Sequence, residues 1–192
     1  MSIKTLVQKL LLFSFSAFLI WQSIQLIHAI SQNIQGTSFG NAVVQSFLLN
    51  VFITGIFLIG YAVPLYRLLP DSYYTSVESQ LFARACAFLH IDLFRKIVLL
   101  TFWTPRNNKK HFFNGKRNGF GQFEKNTRIS ESSHIFSFVS IIVASFYIGI
   151  VANICIAIVA AIINVILNFY PAALQRYNRL RLQNIYRHST LL

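Results

Sequence analysis

Apolar residues run along this chain in long blocks, separated by polar stretches of very different character. A helix that crosses a bilayer needs about 20 mostly apolar residues. Leu10–Ile30 meets that requirement, and so does Ala42–Leu65, which runs out into "VPLYRLLP" with Pro64 and Pro70 punctuating the exit. The connection between them, "SQNIQGTSFGN", is polar but carries no charge. From Ile135 to Leu174 there is no Asp, Glu, Lys, Arg or His. A single helix of that length would reach about 60 Å, twice the hydrocarbon core. The stretch is therefore expected to fold back as a hairpin, turning near "YIGIVANIC", where Gly149 and Asn153 weaken the helix. Each arm would be a little short, which small tilt accommodates.

Between the second and third blocks the texture changes. "SQLFARACAFLHIDLFRKIVLLTFW" scatters Arg84, Asp92, Arg95 and Lys96 among apolar residues. That is the pattern of one or two helices lying in the headgroup plane, with Trp103 as an interface anchor. The basic Gly/Asn loop that follows, "TPRNNKKHFFNGKRNGFGQ", suits contact with anionic lipid. The pattern thus predicts an all-α, polytopic membrane protein with about four transmembrane helices and a cytoplasmic, interfacial helical region. Its divisions are 1–66 for two N-terminal helices, 67–134 for the interfacial region, 135–174 for the hairpin and 175–192 for a basic tail.

Composition supports this and settles the charge. Only 11% of the 192 residues are charged, against about 25% in a soluble domain. The net charge of +12 raises nucleic acid as a partner, but the distribution of the seventeen Lys and Arg excludes it. Two precede the first block, eleven lie between Arg67 and Arg128, and four follow Leu174. With four spans every one falls on the same side, as the positive-inside bias requires, and both termini are expected in the cytoplasm. The opening apolar block is too long for a signal peptide and reads as a retained anchor. Cys86 and Cys155 lie in unlike surroundings and are expected as free thiols, not as a disulfide. Neither a metal-ligand spacing nor a phosphate-binding glycine loop is present, so no metal and no cofactor is expected.

Two motifs carry candidate chemistry. In "TRISESSH", Glu131 and His134 stand three apart and share a helix face. A carboxylate beside an imidazole can orient its tautomer and raise its basicity, as a general base needs. An ordinary helix N-cap is the competing reading. In "NVILNFYPAALQRYNRLR", Asn164, Asn168, Gln175, Asn178 and Arg179 fall on one helical stripe, with Arg176 and Tyr177 off it. Amides inside a membrane need partners or a wet cavity, so this stripe faces protein or substrate. Helix–helix hydrogen bonding is the alternative. Pro171 is expected to bend the helix there. A hairpin would bring the two motifs to the same membrane face, and Glu131 and His134 beside Gln175, Asn178 and Arg179.

At these motifs the sequence resembles the glycosyl-diaponeurosporenoate acyltransferase family. Thr127, Arg128, Ser130, Glu131 and His134 match its T-[KR]-x-[AS]-E-x-x-H stretch. Asn168, Gln175 to Arg179 and Arg181 match its Asn…Q-R-Y-N-R-x-R ending, and "LPDSYY" resembles an upstream signature. Pro171 is shifted by one position from the family pattern, and Asn126 stands where an acidic residue often does. The resemblance implies transfer of a fatty acyl group to a hydroxyl of a lipid-linked acceptor, such as a glycosylated isoprenoid. The donor would be an acyl-CoA or an acyl carrier. Glu131 and His134 would be catalytic, and Arg128, Asn168, Gln175, Arg176, Asn178 and Arg179 would bind substrate. Partners would be membrane lipids, the acyl donor and a hydrophobic acceptor. The alternative is a non-catalytic membrane subunit or a lipid-binding protein.

Overall fold

A computed structural model describes residues 3–32, 38–75, 80–101 and 120–190. The connection around Gly36 and the basic loop with Trp103 lie outside the described residues. Among those described there is no strand, and four helices are long and apolar enough to cross a membrane: Thr5–Gln32, Phe39–Tyr61, Gly121–Val151 and Ile154–Arg181. The all-α, four-span architecture expected from the pattern is the one found.

The helices are α1 (Ile3–Gln32), α2 (Phe39–Ile56), α3 (Asp71–Thr75), α4 (Gln80–Phe88), α5 (Ile91–Thr101), α6 (Phe120–Val151), α7 (Ile154–Asn164) and α8 (Tyr170–Thr190). Short 3-10 turns follow α2, and a π turn, Val165–Phe169, joins α7 to α8. The third long helix starts well before Ile135, because the polar stretch through "TRISESSH" continues it without a break. The chain reverses where the sequence placed the turn. Asn153 leaves helical geometry and its side chain accepts from the amides of Cys155 (2.8 Å) and Ile156 (3.3 Å), capping α7. A Cβ added at Gly149 would lie 3.3 Å from Ala157 Cβ, so only a small residue lets the two arms approach here.

The chain forms two compact units, residues 1–64 with 133–169, and residues 65–132 with 170–192. The first holds α1, α2, the later part of α6, α7 and the π turn. Its core gathers Ile30, Leu49, Ile53, Ile141, Ile148 and Ile156. Its outer surface carries exposed Phe13, Phe18, Trp21, Val143, Phe146 and Ile158, costly in water and at home in lipid. Polar residues point inward instead: Ser16, Ser46, Asn50, Ser137, Asn164 and Asn168 are all buried. Without a hydrophobic force between helices in lipid, such interhelical hydrogen bonds and small residues hold a bundle together.

Their register gives helix direction. Ser46 Oγ donates to the Ile156 carbonyl (3.0 Å), Asn50 Nδ2 to that of Ala160 (3.1 Å), and Thr54 meets Asn168. Both partners advance together, so α2 and α7 run parallel. Ser16 Oγ donates to the Ile56 carbonyl (3.1 Å) and Leu19 abuts Gly55, which makes α1 antiparallel to α2.

The second unit holds α3, α4, α5, the start of α6 and α8. Cys86, Ile91 and Leu174 form its small core, with Phe82, Phe94, Tyr170 and Tyr177 packed around them. The other face of α4 and α5 exposes Phe88, Leu93 and Ile97, the two-faced character of helices that rest on a bilayer. Cys86 and Cys155 are free, the first buried and its thiol pushed up by burial. Asp92 accepts from the Tyr177 hydroxyl (2.8 Å) and pairs with Arg95 (3.0 Å). The Tyr177 hydrogen bond holds its carboxyl below the usual range.

Candidate active site

Each unit contains one polar cluster built on residues that the sequence singled out. In the second unit the centre is Glu131, 1% exposed on the first part of α6. Its Oε1 accepts from the Tyr73 hydroxyl (2.9 Å) and from Arg176 Nε (3.1 Å), and its Oε2 from Arg179 Nη2. Arg176 and Arg179 stand three apart on α8, so one carboxylate can reach both. Arg176 Nη2 also donates to the Tyr73 carbonyl (2.8 Å), and its guanidinium lies over the Tyr73 ring at 4.1 Å. Arg179, 2% exposed, lies 5.2 Å from the ring centroid of Tyr74. Arg128 faces the same ring at 4.8 Å and pairs with Asp71 (2.9 Å) and Glu124 (2.7 Å). Burial, reinforced by the negative charge of Glu131, pushes the Tyr74 phenol up to about 12 and that of Tyr73 higher still. Both tyrosines are therefore neutral donors at any physiological pH.

In the first unit the centre is Asn168, fully buried in the π turn. Pro171 has no N–H for the carbonyl of Leu167, and the wider turn accommodates that loss. Asn168 Oδ1 meets His134 Nδ1 at 3.1 Å, its Nδ2 donates to Asn164 Oδ1 (3.0 Å), and both atoms meet the Thr54 hydroxyl. Asn164 Nδ2 in turn donates to the backbone carbonyl of Phe138 (3.0 Å). That carbonyl can only accept, so it fixes the direction of every link. Asn164 must present its oxygen to Asn168 Nδ2, and Asn168 its oxygen to His134. A neutral His134 then carries its proton on Nδ1 and keeps a lone pair on Nε2.

The partner expected for His134 was Glu131, and the partner found is Asn168. A carboxylate that already accepts from one phenol and two guanidiniums has three of its roughly four acceptor sites engaged. Glu131 is also buried. Arg176 was read as lying off the polar stripe, yet it shares Glu131 with Arg179. Residues three apart on an α-helix are neighbours, so the edge of a stripe at Arg179 does not exclude Arg176. Gln175 and Asn178 are half-buried on α8 and make no side-chain hydrogen bond among the described residues.

Three participants were missed by the motifs. Tyr73 and Tyr74 belong to the "LPDSYY" signature, but nothing in their spacing announced that they would cover guanidiniums. Thr54 had a readable signal: Ser46, Asn50 and Thr54 recur every fourth residue through an otherwise apolar block. Among the described residues no trio of His, Cys, Asp or Glu gathers to hold a metal ion.

Four apolar helices around a buried, hydrogen-bonded polar interior define an integral membrane protein. The chain belongs to the glycosyl-4,4'-diaponeurosporenoate acyltransferase (CrtO) family, whose model matches residues 70–188. The match takes in both motifs. No curated protein and no solved structure matches the chain. The family name designates an acyltransferase of carotenoid biosynthesis.

Proposed function

We propose that this protein transfers a fatty acyl group to a hydroxyl of a lipid-linked acceptor, a glycosylated isoprenoid, at the cytoplasmic face of a bacterial inner membrane. The observation that carries the mechanism is the directed chain from the Phe138 carbonyl through Asn164 and Asn168 to His134, which leaves Nε2 unprotonated. His134 Nε2 removes the acceptor hydroxyl proton as its oxygen attacks the acyl carbonyl of a thioester donor, an acyl-CoA or acyl carrier. The new C–O bond forms, the C–S bond breaks, and the imidazolium returns its proton to the departing thiolate. Gln175 or Asn178 donates to the carbonyl oxyanion. Asn168 positions the base, and Arg128, Arg176 and Arg179 answer the negative charge of the donor. Glu131 acts here by holding Arg176 and Arg179, a positioning role in place of the catalytic one first assigned to it. The charges support this face, since all seventeen Lys and Arg lie before Leu10, between Arg67 and Arg128, or after Leu174.

A non-catalytic subunit is the competing reading, favoured by the mutual pairing of Glu131 with two arginines, which needs no ligand. The lipid profile of a deletion strain separates the two. Loss of an acylated glycolipid, with its unacylated form accumulating, is expected. An unchanged profile would leave the subunit reading standing.

A further inference from the structure

We infer that the second unit holds a buried site for a ligand oxyanion, formed by Arg179 and Arg128 around the ring of Tyr74. The observation behind it is a set of donors with nothing to donate to among the described residues. Arg179 Nη2 serves Glu131, but its Nε and Nη1 are buried without an acceptor. Arg128 uses both terminal nitrogens on Asp71 and Glu124, and its Nε is likewise buried and unpaired. Buried donors in folded proteins almost always find partners, and those on a cation most of all. Here three such nitrogens belong to two guanidiniums that lie 5.2 and 4.8 Å from one ring centroid.

The neighbours fix what can enter. Tyr74 packs against both cations and its hydroxyl donates to the Tyr66 carbonyl (3.0 Å), while its oxygen accepts from none of the three nitrogens. Glu131 is shared between the half-buried Arg176 and the buried Arg179, so that trio carries one net positive charge, and the carboxylates on Arg128 face outward, Asp71 91% and Glu124 34% exposed. Arg176 adds no buried spare donor, since Glu131 and the Tyr73 carbonyl take its Nε and Nη2. The ligand class is an anionic oxygen group, phosphate or carboxylate, approaching N–H groups and not aromatic faces. Only the identity of that ligand rests on the acyl-transfer reading. Its phosphate source would be the carrier of the acyl donor, and its carboxylate source a free fatty acid.

The purified full chain is titrated with coenzyme A in one arm and a long-chain fatty acid in the other, following heat of binding and the unfolding midpoint. Wild type is expected to bind one of the probes and to gain thermal stability from it, and the responding arm names the source. Arg179→Lys keeps a charge for Glu131 but loses the spare donors, and should weaken binding by about tenfold or more. Arg128→Lys should do the same, which keeps the site testable if Arg179→Lys fails to fold. Arg84→Lys, exposed on α4, should bind as wild type does. A wild type that binds neither probe overturns the site, as do Arg179→Lys and Arg128→Lys proteins that bind as tightly as wild type. Binding without turnover would keep the site and remove the acyl-transfer reading.

Discussion

Replacing Asn164 with leucine should act on His134 without touching it. In the wild type, Asn168 cannot turn its amide around, because its oxygen would then face Asn164 Oδ1 across 3.0 Å. Thr54 does not choose between the two orientations, since a hydroxyl can donate or accept. The turned state leaves Asn164 Oδ1 without its donor and sets two acceptors together, at a cost of about 1–3 kcal/mol. At about 1.4 kcal/mol per factor of ten, it is populated at roughly a tenth or less. Asn164→Leu removes that constraint, and the two orientations become nearly equal. About half of the His134 rings should then carry the proton on Nε2, where the lone pair is needed, and turnover should fall only about twofold. Asn168→Leu removes the partner altogether and should cost about 10²-fold or more. It also loses four hydrogen bonds, about 2–3 kcal/mol at the 0.6 kcal/mol typical of such bonds in a membrane. Nitrogen NMR of histidine-labelled protein reads the tautomer directly. A His134 signal that is one Nδ1–H species in both wild type and Asn164→Leu would refute the chain as the device that sets it.

Glu131→Gln should destabilise the protein by about 3 kcal/mol or more, because it leaves the buried guanidinium of Arg179 without its anion; a thermal unfolding midpoint equal to wild type would contradict this. A Cβ at Gly55 would lie 2.5 Å from Leu19 Cδ1, the movable tip of a side chain. Gly55→Ala should therefore be mild and Gly55→Leu should cost about 1–3 kcal/mol, in part recovered by Leu19→Ala. The Tyr74 phenol, raised from 10.0 to about 12 mainly by burial and then by Glu131, favours its protonated form in the fold. Its contribution to stability is thus complete below pH 10 and lost as pH rises toward 12. Tyr74→Phe should remove one late step from the tyrosinate absorbance titration, and an unaltered titration would count against the burial.

The membrane character was legible because it depends on long averages, and a charge-free run of that length has few other solutions. The reversal at Asn153 was legible for a local reason: a short side chain that can cap a helix stood where the arms had to part. The direction of α2 relative to α7 could have been read from the fourfold spacing of Ser46, Asn50 and Thr54, had a partner stripe been sought. Partner choice was harder. Glu131 and His134 share a face by spacing, but spacing does not say which of several donors reaches a carboxylate first. That depended on Tyr73, 58 residues away, and on two arginines of α8. Arg176 was set off the stripe by its angle, yet a residue three from Arg179 is its neighbour on α8 and reaches the same carboxylate.

The measurement closest to the central claim is single-enzyme acyl transfer by the purified protein, with a labelled acyl thioester and a glycosylated isoprenoid acceptor. Wild type should form the labelled ester. His134→Ala, folded by its unfolding midpoint, should form it at least about 10²-fold more slowly. Ester formation by His134→Ala at the wild-type rate, or none by wild type, would contradict the account.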